Sequence, residues 1–196
     1  MAGILKRRET MARILAARGN ALVVTGLGST TYDAFATHDS PLTFYLWGAM
    51  GAAAMIGLGL ANAQPQRRVL VVTGDGEMLM GLGSLATIGA ARTANLSIVV
   101  IDNEHYAETG MQPSHTARGV DLAGIANAAG FAHASTVRAQ TELESLVPAL
   151  YTLPGPVFAV IKVVAEPAAI ALPPRDGAYL RSRFRAALLG EARAVE

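Results

Sequence analysis

Gly74-Asp75-Gly76 and Asn103 are the residues of this chain whose types and spacing point most directly to chemistry. Each follows an apolar run of strand type, Val69–Val72 and Leu96–Ile101, and the interval between them has the length of a parallel crossover, one helix and one strand. Such a crossover brings both runs out at the same edge of a sheet, so Asp75 and Asn103 would meet there. A carboxylate, an amide oxygen and nearby backbone carbonyls make a hard, all-oxygen site suited to Mg²⁺ or Ca²⁺. Mg²⁺ usually keeps part of its shell for phosphate oxygens, so a diphosphate is a natural partner. A helix starting near Met78 would aim free N–H groups at the same anion. Taken alone, an Asp-Gly pair after a strand is more often a plain turn; the spacing to Asn103 raises it above that. A third glycine-rich strand end, Gly26-Leu27-Gly28-Ser29-Thr30, follows the β-like run Ala21–Thr25.

The stretch from Asp102 to Gly119 is polar and too long for an ordinary βα connection. Within it, His105 and His115 are the candidates for moving protons or holding an acidic substrate. The alternative is that both are solvated loop residues, and Tyr106, Thr109 and Gln112 stand under the same alternative. Arg118 suits a sulfonate, phosphonate or carboxylate, or is a surface arginine. His38, in a polar connection, and His133, in a weak strand, read as structural. Arg181, Arg183 and Arg185 read most simply as a solvated helix face, with intersubunit pairing second. Met78 and Met80 read as core.

The elements that must position these groups alternate along the chain. Ile4, Leu5, Met11, Ile14 and Leu15 mark one helical face that ends at Gly19-Asn20. A Gly/Ala-rich helix is expected over 48–63, stopped before Pro65, and a further helix over Leu79–Gly89 with small residues for close packing. Asp121 is placed to cap a helix running through Ala129. A weaker strand near Ala132–Thr136, a helix over Thr141–Tyr151 and a strand Val157–Val164 follow. Pro167, Pro173 and Pro174 mark an extended arm, and Leu180, Phe184, Ala187 and Leu188 a last helix. Continuous apolar strands alternating with helices predict an α/β fold: a doubly wound, mostly parallel sheet with helices on both faces. The whole chain, 1–196, is expected to be one domain, with 165–196 as arm and terminal helix. In such sheets ligands bind beyond the carboxyl ends of the strands.

Composition narrows the function classes. Of 196 residues, 52% are hydrophobic and 16% charged, with a net charge of +1, which excludes a disordered chain and offers no field for a nucleic-acid partner. The absence of cysteine removes disulfides, Cys-bound zinc and thiol catalysis together, and fits a reducing compartment. The uncharged run from Ser40 to Gln66 is long enough to span a bilayer. Its glycines, alanines, Asn62 and Gln64 make it a poor one, so a buried helix is the reading. The N-terminus lacks the apolar core of a signal peptide, and a cytoplasmic location is expected.

Gly74-Asp75-Gly76 followed by Asn103 resembles the GDG…NN signature of thiamine-diphosphate enzymes. Thr25–Thr30 resembles their first-strand turn against the diphosphate, and Trp47-Gly48-Ala49-Met50-Gly51 the segment that holds the aminopyrimidine. The resemblance covers nearly the whole chain as the diphosphate-binding (PP) domain. The segments 42–51, 82–88 and 176–184 look most like sulfopyruvate decarboxylase β subunits, with phosphonopyruvate decarboxylases close behind.

The resemblance implies thiamine diphosphate and Mg²⁺ as cofactors. Asp75, the Asn103 side chain and the backbone carbonyl of His105 would hold the metal. Gly74 and Gly76, with the N–H groups of Gly76, Glu77 and Met78, and Gly28, Ser29 and Thr30, would hold the diphosphate. The Gly48 carbonyl would accept from the aminopyrimidine, and Met50 would wedge between the cofactor rings. It further implies decarboxylation of a small acidic 2-oxo acid by a hetero-oligomer, in which a separate pyrimidine-domain (α-type) subunit supplies the activating glutamate. A carboligase of the acetolactate synthase kind, a non-catalytic phosphate- or nucleotide-binding module, and a homodimer without turnover are the rivals. Two departures stand out. Asp102 replaces the first Asn and adds negative charge, and Glu77 would repel a diphosphate unless it points away or finds a cation.

Overall fold

The computed structural model describes residues 5–194, so Ile4 of the expected N-terminal face lies outside the described residues. Helix α1 (Arg7–Ala16) leads into β1 (Leu22–Thr25), α2 (Ser29–His38), β2 (Thr43–Tyr45), α3 (Ala53–Ala63) and β3 (Val69–Gly74). Then come α4 (Asp75–Met80), α5 (Ser84–Ala91), β4 (Leu96–Asp102), and a small hairpin of β5 (His105–Tyr106) and β6 (Gln112–Pro113). The chain closes with α6 (Leu122–Ala128), β7 (His133–Val137), α7 (Gln140–Thr152), β8 (Val157–Lys162), α8 (Gly177–Leu189) and α9 (Glu191–Ala194).

Six strands form one parallel sheet in the order β2-β1-β3-β4-β8-β7, with Val23 paired to Leu70, Val71 to Ile98 and Val99 to Ala159. Because side chains alternate across a strand, each central strand serves two cores. Val24, Val71, Ile98 and Phe158 face α3, α5 and α6 on one side, while Val23, Leu70, Val99 and Ala159 face α1, α2 and α7 on the other. Burial on both faces is why these strands read as unbroken apolar runs. Each fully buried Val, Leu or Ile contributes roughly 1.5–3 kcal/mol.

The uncharged run of 40–66 holds a helix of 11 residues, and among the described residues no helix is long and apolar enough to cross a membrane. Its helix begins only at Ala53, after a turn in which Ala49 and Gly51 take positive φ, and its small residues allow close packing. A Cβ at Gly57 would lie 2.2 Å from Val71 Cγ2.

Other expectations are corrected. Ser29–His38 is a helix, so His38 is a helix C-terminus rather than part of a connection, and Thr43–Tyr45 is a strand. α2 lacks an apolar stripe because its buried positions include Thr30, Thr31 and Asp33, with Thr30 and Thr31 both donating to the Gly26 carbonyl. The single helix expected over Leu79–Gly89 is two, broken at Gly81–Gly83, where Gly81 packs onto the Gly51 carbonyl. β8 ends at Lys162 rather than Val164. Asp121 occupies the cap position of α6 without a side-chain cap bond; Asp176 does cap α8, accepting from the Tyr179 N–H at 3.0 Å. The segment 163–176 carries no helix or strand, and it is tied down by Arg8 on the Ala169 carbonyl and by Trp47 on that of Pro174.

Candidate cofactor site

The carboxyl ends of β1, β3 and β4 open into one cavity of about 240 Å³. Among the sequence-derived candidates, Ser29, Thr30, Met50, Gly74, Asp75, Gly76, Glu77, Asn103 and His105 line it. Gly28, Gly48, Met78 and His115 are not among the lining residues. Gly28 sits at the N-cap of α2 beside Glu108, and nothing lies within 4 Å of where a Gly48 Cβ would be. The Met78 side chain is core, whereas Met80, expected to be core, is 67% exposed.

Asp75 is the first residue of α4, which therefore starts three residues earlier than the sequence pattern suggested, and directs the N–H groups of its first turn to the strand edge. The Asp75 carboxylate is 3% exposed and accepts from the Ser114 hydroxyl, with Thr116 at 3.4 Å. Burial pushes its pKa up to about 6; the Ser114 bond opposes this, and the nearby Asp102 charge reinforces it. Asn103 Oδ1 accepts from the His105 N–H at 3.0 Å, and the His105 ring turns back to the Asn103 carbonyl at 2.8 Å. The Tyr106 ring lies against the other wall: a Cβ on Gly76 would come within 2.7 Å of it. His115 reaches the cavity only through Tyr106, whose hydroxyl is 3.0 Å from His115 Nδ1.

The two departures have local answers. Asp102, 1% exposed, accepts from Thr116 at 2.8 Å and pairs with Lys162 Nζ at 2.8 Å, so the charge added next to Asn103 has a cation of its own. Burial lowers the Lys162 pKa, but its bonds to Asp102 and Glu104 more than reverse this. The Glu77 carboxylate turns beneath the Gly26 turn and accepts from Thr73 Oγ1 at 2.8 Å. Burial raises its pKa, and the Gly51, Leu27 and Ala53 amides beside it pull the other way.

Arg7, Ser114, Thr116 and Lys162 belong to this neighbourhood and were not among the sequence candidates. Arg7 lines the cavity and pairs at 2.6 Å with Asp33, whose side chain is fully buried and also takes Arg8 at 2.9 Å. In sequence Arg7 is one of a basic run on a helix, with nothing to mark which member faces inward. Ser114 and Thr116 had a weak signal, as hydroxyl residues two apart in the polar stretch. Thr109 lines the cavity; Gln112 bonds Thr109 within the hairpin, and Arg118 and His133 are exposed. Arg183 is not a solvated residue but pairs with Asp39 at 2.8 Å.

The fold alone is shared with a crystal structure described as a thiamin diphosphate-dependent enzyme from Mycobacterium smegmatis, at a TM-score of 0.72 and 22% identity over 84% of this chain and 33% of that one. Residues 26–163 match the family "Thiamine pyrophosphate enzyme, C-terminal TPP binding domain", and the chain belongs to it. The sulfopyruvate decarboxylase subunit beta of Methanothermobacter thermautotrophicus is 39% identical over 181 residues, which cover 92% of this chain and 94% of that protein. The phosphonopyruvate decarboxylase of Streptomyces viridochromogenes is 43% identical over 133 residues, 68% of this chain but only 32% of that longer protein.

The residues present suit the cofactor. Asp75, Asn103 and His105 line the same cavity, and a carboxylate, an amide oxygen and a backbone carbonyl are the hard oxygen donors that Mg²⁺ takes. Among the described residues no three His, Cys, Asp or Glu side chains converge on a metal position, so phosphate oxygens or water would complete the shell.

Proposed function

We propose that this chain is the β-type subunit of a thiamine-diphosphate- and Mg²⁺-dependent decarboxylase acting on a small acidic 2-oxo acid, of the sulfopyruvate or phosphonopyruvate kind. The observation that carries the reading is the near end-to-end match to a relative named as a beta subunit. The converging Asp75, Asn103 and His105 at the cavity support it. Asp75 and the Asn103 and His105 oxygens hold the metal. The first-turn N–H groups of α4 and the Ser29 hydroxyl take the diphosphate, the Thr30 hydroxyl holds the Gly26 carbonyl of the adjoining turn, and Arg7 adds positive charge close by. Met50, 42% exposed on its turn, sets the angle between the cofactor rings. Once bound, thiamine diphosphate supplies the nucleophilic carbon and the electron sink that decarboxylation requires. Tyr106 and His105 line the space beside it, and His115, bonded to Tyr106, can exchange a proton with solvent.

The activating carboxylate is assigned to a pyrimidine-domain partner subunit, with the site completed between the two chains. The test is CO₂ release from sulfopyruvate and phosphonopyruvate by the chain assembled with its partner. Release should require both thiamine diphosphate and Mg²⁺ and disappear with Asp75→Ala; cofactor-independent release, or none with any 2-oxo acid, would overturn the assignment.

A further inference from the structure

Glu77 presents a puzzle: a carboxylate next to Asp75, 5% exposed, in a cavity read as binding an anion. No cation pairs with it among the described residues. Its surroundings explain it differently. Oε2 accepts from Thr73 at the end of β3, and a Cβ on Gly26 would lie 1.7 Å from that oxygen, so the carboxylate is seated directly under the Gly26 backbone. Among the described residues the Thr73 bond is the one hydrogen bond its carboxylate makes and Oε1 is buried with no partner, while the amides of Gly51, Leu27 and Ala53 favour its charged form. Ala53 opens α3, where an N–H has no carbonyl partner within its own helix. A carboxylate accepts through both oxygens and donates through neither, which suits a point where several N–H groups converge. Three chain segments meet there: the Gly26–Thr30 turn, the 49–53 turn that carries Met50, and the first turn of α4.

We propose that Glu77 is a positioning residue for the cofactor site: its buried carboxylate ties the Gly26–Thr30 turn and the Met50 turn to the first turn of α4. The wall facing the diphosphate and the wall facing the rings are thereby held in fixed relation. The structural part stands on the contacts alone; the consequence for the cofactor rests on the thiamine-diphosphate reading.

Two measurements separate them. Hydrogen exchange on the full cofactor-free chain should show the Leu27, Gly51 and Ala53 amides at least tenfold faster in Glu77→Ala, with the amides of β4 unchanged. Calorimetry with thiamine diphosphate and Mg²⁺, on the chain in the assembly in which it purifies, should show affinity at least tenfold weaker. Leu150→Ala, distant in α7 and destabilising, serves as comparator and should leave affinity within twofold at a similar loss of melting temperature. If Glu77→Ala does not fold, Gly26→Ala displaces the carboxylate from the other side and should reproduce the exchange pattern. Unchanged exchange at the three amides overturns the tie. A comparator that weakens binding as much as Glu77→Ala overturns positioning in favour of general stability. A wild-type assembly that binds no thiamine diphosphate overturns the cofactor role and the function reading with it, while the exchange result still decides the tie.

Discussion

The two ends of the central sheet use buried and half-buried polar groups in opposite ways. At the amino end, Arg18 donates to Thr43 and to the Ala21 and Leu42 carbonyls, Arg68 to the Leu153 carbonyl, and Asn95 to the carbonyls of Ala61, Gln64 and Arg67. Cationic or amide donors meet neutral carbonyls there, and they close the loops beneath the strands. At the carboxyl end, Asp33, Asp75, Glu77 and Asp102 are all buried. Desolvation raises the pKa of Asp33, Asp75 and Glu77, which means that ionising them in place costs free energy. Asp33 and Asp102 have their own cations. Asp75 has hydroxyls and a neighbouring negative charge, so a bound cation would relieve the largest remaining cost. One end of the sheet is built for stability; the other tolerates instability where a ligand can remove it.

The sharpest way to break this contrast is Asp75→Asn. Magnesium-dependent affinity for thiamine diphosphate should fall by more than the roughly 10–100-fold typical of outer-shell partners, measured by calorimetry. The metal-free fold should gain about 1–3 kcal/mol, read from urea midpoints. The sign follows from its pKa of about 6, above the unfolded value of about 3.9. This group's contribution is most favourable below about pH 4 and is lost as pH rises through about 6. Asp75→Asn should flatten that part of the stability profile. A variant less stable than wild type at pH 7 would contradict the picture.

Arg18→Ala tests the opposite end. Losing its buried bonds should cost about 2–4 kcal/mol in chemical denaturation, with cofactor affinity of the folded fraction unchanged. Lys162→Met tests the charge pairing within the carboxyl end. It strands the Asp102 charge and should cost about 2 kcal/mol, and adding Asp102→Asn should restore most of it in a double-mutant cycle. The smallest effect is expected from Arg7→Ala. Asp33 already shares the charge of Arg7 and Arg8, so diphosphate affinity should weaken only about three- to tenfold, with little change for thiamine lacking phosphate.

Much of the site was legible along the chain because it depends on local spacing. An apolar strand, Gly74-Asp75-Gly76, a crossover and a second strand ending at Asn103 constrain one another through the geometry of parallel connections. Where apolar periodicity failed, so did the reading. α2 packs through threonines and Asp33, β2 is three residues long, and α4 begins at the aspartate itself rather than at Met78. The turn at 49–52 was hidden inside what looked like continuous helix, because alanine favours helix and only the glycines take the left-handed conformation freely, as Gly51 does.

The parallel α/β alternation and the meeting of Asp75 and Asn103 at the carboxyl edge of the sheet were legible in the sequence itself, since hydrophobic period and crossover length act over neighbouring residues. Only the tertiary structure decided the fate of the charges. Lys162 meets Asp102 across two paired strands, Arg7 reaches Asp33 from a helix outside the matched family segment, and the Glu77 carboxylate turns under Gly26. Electrostatic pairing depends on distances between segments far apart in the chain, and those distances exist only once the sheet has brought the segments together.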